Sequence, residues 1–203
     1  MKKLYVVGNK TSKSLSPLIF NYWFNKYKIK AEYGFLELNN NNFHKKITET
    51  LKDKNILGFN ITIPYKQKIM KYINAFDTHS KKINAVNCVS TNKKIKGYNT
   101  DWCGYYNTLP IKKNFNHKSV VLIGYGGAAL AIHYALIRNN FKNILVFNRT
   151  KKKLRFEKKT KYTLSMDGLE QYLEGADLII NTTPTNPITK KNISKIKKTT
   201  LLS

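Results

Sequence analysis

Residues 119–149 confine this chain to a narrow set of folds. "SVVLIG" at 119–124 and "NILVFNR" at 143–149 are apolar runs without the polar alternation of a half-exposed strand. Runs of that kind belong to strands covered on both faces, as in a parallel sheet flanked by helices. Between them "GGAALAIHYALIRNN" reads as a helix, so the three segments form one βαβ unit of the expected length. Further on, "LEGADLIINTTP" supplies another strand that ends in a polar turn.

The first half follows a related rhythm. "LYVVGN" reads as a strand, and "SPLIFNYWFNKY" as a helix with Ser16 at the N-cap and Pro17 at the first helical position. "AEYGFLEL" is a strand, "NFHKKITETLKD" a helix with Phe43, Ile47 and Leu51 on one face, "ILGFNITI" a strand and "QKIMKYI" a short helix. This alternation predicts an α/β fold with a mostly parallel sheet. At "INAVNCVSTNKKIKGYNTD" the pattern changes to short strands with a turn at "TNKK", and a helix beginning near Asp101 leads into the second half. The division is therefore into a first domain at 1–101 and a second at 102–203.

Composition removes several classes of function. With 203 residues, 41% hydrophobic and 12% aromatic, the chain can bury a sizeable core. The formal net charge of +26 is extreme and would suit a polyanion. Yet the lysines are spread along the chain, as in "KKITETLKDK" and "KKTKY", with no single stripe interleaved with aromatics, so no specific nucleic-acid partner is expected. Cys88 and Cys103 fit neither a disulfide framework nor a zinc motif, and the four histidines show no metal spacing; no metal is expected. No apolar stretch approaches membrane-spanning length, and "MKKLYVVGNK" is too short in its apolar run for a signal peptide. The expectation is a cytoplasmic protein in a reducing compartment.

The turn between the first buried strand and its helix reads Gly124-Tyr125-Gly126-Gly127-Ala128-Ala129, a G-x-G-x-x-A pattern. The first glycine permits a tight turn, the second lets backbone approach a pyrophosphate, and a small third residue lets helix pack on strand. The helix N-terminal amides then face the phosphate. An acidic residue about 20 residues on would select NAD by binding a ribose 2′-hydroxyl. Here Asn148-Arg149-Thr150 is followed by Lys151, Lys152 and Lys153. A guanidinium can fork onto a 2′-phosphate and a threonine hydroxyl can assist, so NADP is the expected cofactor.

Four further stretches place polar groups at the ends of apolar segments: "KSLSP" (13–17), "NITIPYK" (60–66), "INAVNCV" (83–89) and "GYNTDWCGYY" (97–106). Singly, each has an ordinary reading: Ser14 and Ser16 as helix caps, Asn87 as a turn residue, Asp101 as an N-cap. Together with the glycine loop, Asn-Arg-Thr and "NTTP", their order and spacing from Gly8 to about Pro184 resemble the shikimate dehydrogenase family. That resemblance implies an N-terminal α/β substrate-binding domain and a Rossmann-type NADP-binding domain with a cleft between them. It implies NADPH-dependent reduction of 3-dehydroshikimate to shikimate, in the pathway to chorismate and the aromatic amino acids. Carried over by motif, Ser14 and Ser16 hold the substrate carboxylate; Asn60, Thr62, Asn87 and Asp101 face the ring hydroxyls; Lys66 and Asp101 form the catalytic pair. Gly124, Gly126, Gly127, Ala128, Asn148, Arg149, Thr150, Lys153, Asn181 and Thr182 fall to the cofactor. A ketone that accepts hydride develops negative charge on oxygen, and a lysine ammonium beside a carboxylate supplies both stabilisation and a proton.

The chain departs from the family pattern at two places. Lys13 stands where a histidine is common. After "NTTP" comes "TNPITKKN" where a glycine and apolar residues are usual, and the sequence stops at "TTLLS". The family continues with C-terminal helices that carry a substrate-contacting glutamine, so the second domain reads as C-terminally shortened and the expectation is a chain that folds but is weakly active or inactive. The alternatives are a quinate/shikimate dehydrogenase and a non-catalytic remnant that binds nucleotide. A monomer or a homodimer suits either.

Overall fold

A computed structural model of the chain describes residues 1–109, 117–157 and 159–203. It divides into two compact units, Met1–Thr100 and Asp101–Ser203.

The first unit is built on a six-stranded sheet in the order β2-β1-β3-β5-β6-β4. Its elements are β1 (Lys2–Gly8), α1 (Ser16–Lys26), β2 (Ala31–Glu37), α2 (Phe43–Lys52), β3 (Ile56–Ile61), a 3₁₀ turn (Lys68–Tyr72), β4 (Ala75–Phe76), α3 (Thr78–Ile83), β5 (Cys88–Ser90) and β6 (Lys96–Tyr98). β2, β1 and β3 pair in parallel, as do β4 and β6, whereas β5 runs antiparallel to both β3 and β6, so the sheet is mostly parallel, as expected, with one antiparallel strand inside it. The residues between Ser90 and Lys96 are too few for a parallel crossover, which needs a dozen or more. α2 buries Phe43, Ile47 and Thr50, with Leu51 half-buried. Phe43, Ile47 and Leu51 join Val7, Phe59, Ile61, Tyr65 and Ile69 in one core cluster.

Two local expectations need correction. The N-cap of α1 is Leu15, with Ser16 and Pro17 as its first two residues. The hydroxyl that receives a first-turn amide is that of Ser14, which accepts from Ser16 N at 3.2 Å. β3 stops at Ile61, one residue before Thr62, because the chain turns toward Pro64 there. "QKIMKYI" forms the expected short helix, of the 3₁₀ type, over Lys68–Tyr72. The sequence reading also passed over α3, which opens at Asp77, whose carboxylate accepts from Ser80 N at 2.9 Å, and closes at Asn84 in the left-handed region (φ 62°).

The second unit holds α4 (Asp101–Thr108), β7 (Ser119–Ile123), α5 (Gly127–Arg138), β8 (Asn143–Phe147), α6 (Glu170–Leu173), β9 (Leu178–Asn181), α7 (Lys190–Ile193) and β10 (Leu201–Leu202). Its sheet runs β10-β9-β7-β8 with every pairing parallel. Val120 to Ile123 are all buried, as a strand covered on both faces requires. The first strand is pinned at its start by Asp177, which accepts from Ser119 N at 2.8 Å and pairs with Lys118 at 3.0 Å.

α5 buries a histidine. His133 is 0% exposed, its ring lying against Tyr125 and Phe156. Burial pushes the imidazole down to about 4, against the opposing pull of the Glu157 carboxylate. Above pH 6.5 the ring is neutral in both folded and unfolded chains. As pH falls from 6.5 towards 4, only the unfolded state takes up a proton, and the native state loses relative stability. At about 1.36 kcal/mol per pH unit, that loss approaches about 3 kcal/mol. Unfolding free energies measured between pH 7 and pH 4 should therefore fall about 3 kcal/mol further in the wild-type chain than in His133→Leu; parallel pH profiles would contradict the buried neutral state.

Candidate functional site

Two sets of polar groups gather at strand ends, one in each unit. In the first unit, Gly8 ends β1 where a Cβ would collide with the Thr62 methyl group, so the absence of a side chain lets the segment after β3 lie against it. Thr62 is fixed there by its own amide, which donates to Val7 O at 2.9 Å. The 9–16 loop that follows β1 is tied down by Glu37 at the end of β2. Its carboxylate accepts from Ser12 N at 2.8 Å and from Ser12 Oγ at 2.7 Å, and these bonds hold the carboxyl below its usual range. The anchored loop brings Ser14 and Ser16 together, Ser14 Oγ donating to Ser16 Oγ at 3.2 Å. Both serines are half-buried at the start of α1.

Asn60 and Asn87 sit on neighbouring strands' ends. Asn60 Oδ1 accepts from Tyr33 Oη at 2.6 Å, which turns the amide nitrogen towards Asn87 O at 3.4 Å. Burial raises the Tyr33 phenol, with Cys88 adding to the effect, so the hydroxyl remains a donor. Asn87 is buried; its amide donates to Thr100 Oγ1 at 2.9 Å and accepts from Thr100 N at 2.7 Å. Lys66 is half-buried in the turn after a cis Ile63–Pro64 peptide, its backbone carbonyl receiving Val86 N at 2.8 Å. The first unit thus brings Ser14 to Ser16 and Asn60 to Asn87. Asp101 belongs to the second unit, as the first residue of α4.

In the second unit the turn after β7 is set by Gly124 at φ +92°. A side chain there would strain the backbone and would meet Thr182 Oγ1 at 2.5 Å. Gly126 is the N-cap of α5, makes no side-chain cap, and opens onto free space where a Cβ would stand. The first-turn amides of α5 therefore have no side-chain acceptor from the cap and no acidic residue among them. A pocket of about 490 Å³ lies beside this turn, lined by Gly124, Asn148, Arg149, Met166, Thr183 and Pro184 among others. Arg149 and Thr150 are exposed. An anion fits this donor set: a helix N-terminus, a glycine rim that a side chain would fill, and a guanidinium with no carboxylate at the strand end.

Other residues read for the cofactor shape the site through their own backbone. Asn148 Oδ1 accepts from Tyr125 N at 3.0 Å, and its amide donates to Thr150 O at 2.7 Å. Asn181 accepts from Thr183 N at 3.0 Å and donates to Thr185 O at 2.8 Å, while Thr182 Oγ1 donates to Ile123 O at 2.7 Å. Gly127 and Ala128 start α5 and are half-buried. The three lysines differ: Lys151 lies over the Tyr162 ring at 4.9 Å, Lys152 donates to Tyr125 O at 3.1 Å, and Lys153 is exposed. Tyr33, Glu37 and Tyr125 were missed by sequence reasoning, since each acts on a partner far away in sequence. Among the described residues no group of three or more His, Cys, Asp and Glu could hold a metal, and no helix is long and apolar enough to cross a membrane.

Comparison with known proteins agrees with this layout. Residues 6–89 match the family model "Shikimate dehydrogenase substrate binding domain", and residues 108–201 match "Shikimate / quinate 5-dehydrogenase". A shikimate dehydrogenase (NADP(+)) of Caldicellulosiruptor saccharolyticus is 36% identical over 190 residues, covering 90% of this chain and 68% of that protein. One of Clostridium botulinum is 38% identical over 186 residues, covering 88% and 70%. The chain spans about two thirds of the length of such relatives. Among solved structures, shikimate dehydrogenase 1 of Peptoclostridium difficile matches with a TM-score of 0.85 at 29% identity, covering 97% of this chain and 75% of that one. A shikimate dehydrogenase solved in complex with NADP+ matches with a TM-score of 0.73 at 30% identity, covering 91% and 67%. On the strength of both family matches and these relatives, the chain belongs to the shikimate dehydrogenase family.

Proposed function

We propose that the chain is an NADP-dependent shikimate dehydrogenase, reducing the ketone of 3-dehydroshikimate to the hydroxyl of shikimate. The observation that carries this reading is one pocket in the second unit. There the left-handed turn at Gly124 bares the first-turn amides of α5, and Arg149, with no competing carboxylate, lies on the same rim. Relatives named for NADP(+) and the similar structure solved with NADP+ support it.

The α5 amides and the glycine turn would hold the pyrophosphate, Arg149 and Thr150 the 2′-phosphate, with Lys153 adding positive charge. The chemistry that NADPH supplies when bound is a hydride. The rest falls to this chain's side chains. Ser14 and Ser16 hydroxyls donate to the substrate carboxylate, assisted by the positive end of α1. Asn60, Thr62 and Asn87 hydrogen-bond the ring hydroxyls, and the Tyr33–Asn60 bond fixes which amide atom faces outward. Lys66 presents an ammonium to the ketone oxygen, stabilises the negative charge that develops there, and gives up its proton to form the new hydroxyl. Quinate carries one ring hydroxyl more than shikimate, and parallel assays with both substrates separate the two.

Two outcomes test these roles. Arg149→Ala should weaken NADPH binding by about tenfold or more, the worth of a charged hydrogen bond, and leave NADH binding nearly unchanged; titration of both cofactors decides, and equal affinities in the parent chain would contradict the choice of NADP. Lys66→Ala should depress kcat by about 10²-fold or more, whereas Ser14→Ala should mainly raise the Michaelis constant for shikimate. Near-normal turnover in the Lys66 variant would remove its assigned role.

A further inference from the structure

Tyr125, the variable residue of the G-x-G turn, is 4% exposed and bonded at both ends of its backbone and at its hydroxyl. Its amide donates to Asn148 Oδ1 at 3.0 Å, and its carbonyl receives the Lys152 ammonium at 3.1 Å. Its hydroxyl accepts from Arg155 N at 2.9 Å and contacts His133 Nδ1 at 3.2 Å. Three of these four bonds reach into residues 148–155, the segment that carries Arg149 and Thr150. Within it Asn148 also holds Thr150 O, at 2.7 Å, so both neighbours of Arg149 are fixed while its side chain stays exposed at the pocket.

We infer that Tyr125 is a positioning residue that locks the glycine turn to the 148–155 segment and so sets how strongly the site prefers a 2′-phosphorylated adenine nucleotide. This rests on the NADP reading above. A guanidinium that must be ordered on binding gives up part of its interaction to lost freedom; one whose backbone is already held gives up less. The bond directions are consistent with a permanent lock. The phenol oxygen accepts from Arg155 N and shares a second hydrogen bond with His133 Nδ1. Burial keeps that ring neutral near pH 7, so the pairing does not change with protonation there. The neighbouring lysine is a natural control, since Lys151 lies over Tyr162 and makes no bond to Tyr125 among those described.

The test is binding of 2′,5′-ADP and of 5′-AMP to the full chain, two ligands that differ only in the 2′-phosphate. The parent chain should favour 2′,5′-ADP. Tyr125→Phe should weaken 2′,5′-ADP by about tenfold, one hydrogen bond's worth, and 5′-AMP by less than about twofold. In an Arg149→Ala background the same change should add nothing, because the group it positions is gone. Lys152→Met, an exposed site that leaves the core untouched, should reduce the preference more than Lys151→Met, which removes the same charge one residue away. Should Tyr125→Phe not fold, the lysine pair alone decides. Equal weakening of both ligands, no weakening at all, or equal effects of the two lysine variants overturns the positioning role. A parent chain that binds both ligands equally overturns the NADP reading and this inference with it.

Discussion

The second unit depends on the turn at Gly124. The inner strands β7 and β9 of this parallel sheet are buried, so polar chemistry can be placed only where the chain leaves them. At the end of β7 the backbone enters the left-handed region, with Thr182 packed so close that no side chain can be accommodated. That single constraint directs the chain into α5 with its first-turn amides open, and puts Asn148 and Arg149 at the end of the adjacent strand β8 beside the same pocket. Asn181 and Thr182, at the end of β9 on the other side, spend their side chains on their own turn and on Ile123 O. They hold the rim in place.

The first unit solves the same problem differently. Its sheet is mixed, and the polar groups at the ends of β1, β3 and β5 are held by bonds from other elements. Glu37 holds the loop before α1 through Ser12, and Tyr33 reaches from β2 to Asn60 on β3. Buried amides and hydroxyls left without partners cost about 1–3 kcal/mol each, so such a set is stable only when bonded among itself or to a ligand. The buried Asn87 meets that condition through Thr100, and the half-buried Asn60 is held by Tyr33 and Asn87, which leaves both amides pre-oriented.

Much of this was legible in the sequence because it rests on local pattern. The two apolar runs at 119–124 and 143–149, the glycines between them and the absence of a carboxylate after Phe147 predicted strands, turn and pocket chemistry at once. The short strands and the turn at "TNKK" were legible too, but not that β5 would run antiparallel to β3, since parallel and antiparallel short strands share the same composition. α3 was missed because six residues carry too little periodicity, although its Asp77 cap and Asn84 terminus were in view. The supporting bonds of Tyr33, Glu37 and Tyr125 link residues 27, 25 and 8 to 30 positions apart, which no local rule can pair. Lys152 shows the converse: within a run of three lysines the sequence does not single it out, yet it holds a carbonyl of the glycine turn.

The central claim is that each unit carries one ligand's site at the ends of its strands. The most direct measurement is the change in backbone amide resonances of the isotopically labelled chain when NADP+ and shikimate are added separately. NADP+ should move Gly124 to Ala128 and Asn148 to Thr150 most, and shikimate should move Ser14, Ser16, Thr62 and Asn87. Shifts from NADP+ centred in the first unit, or no shift at Gly124 to Ala128 at saturating NADP+, would contradict it.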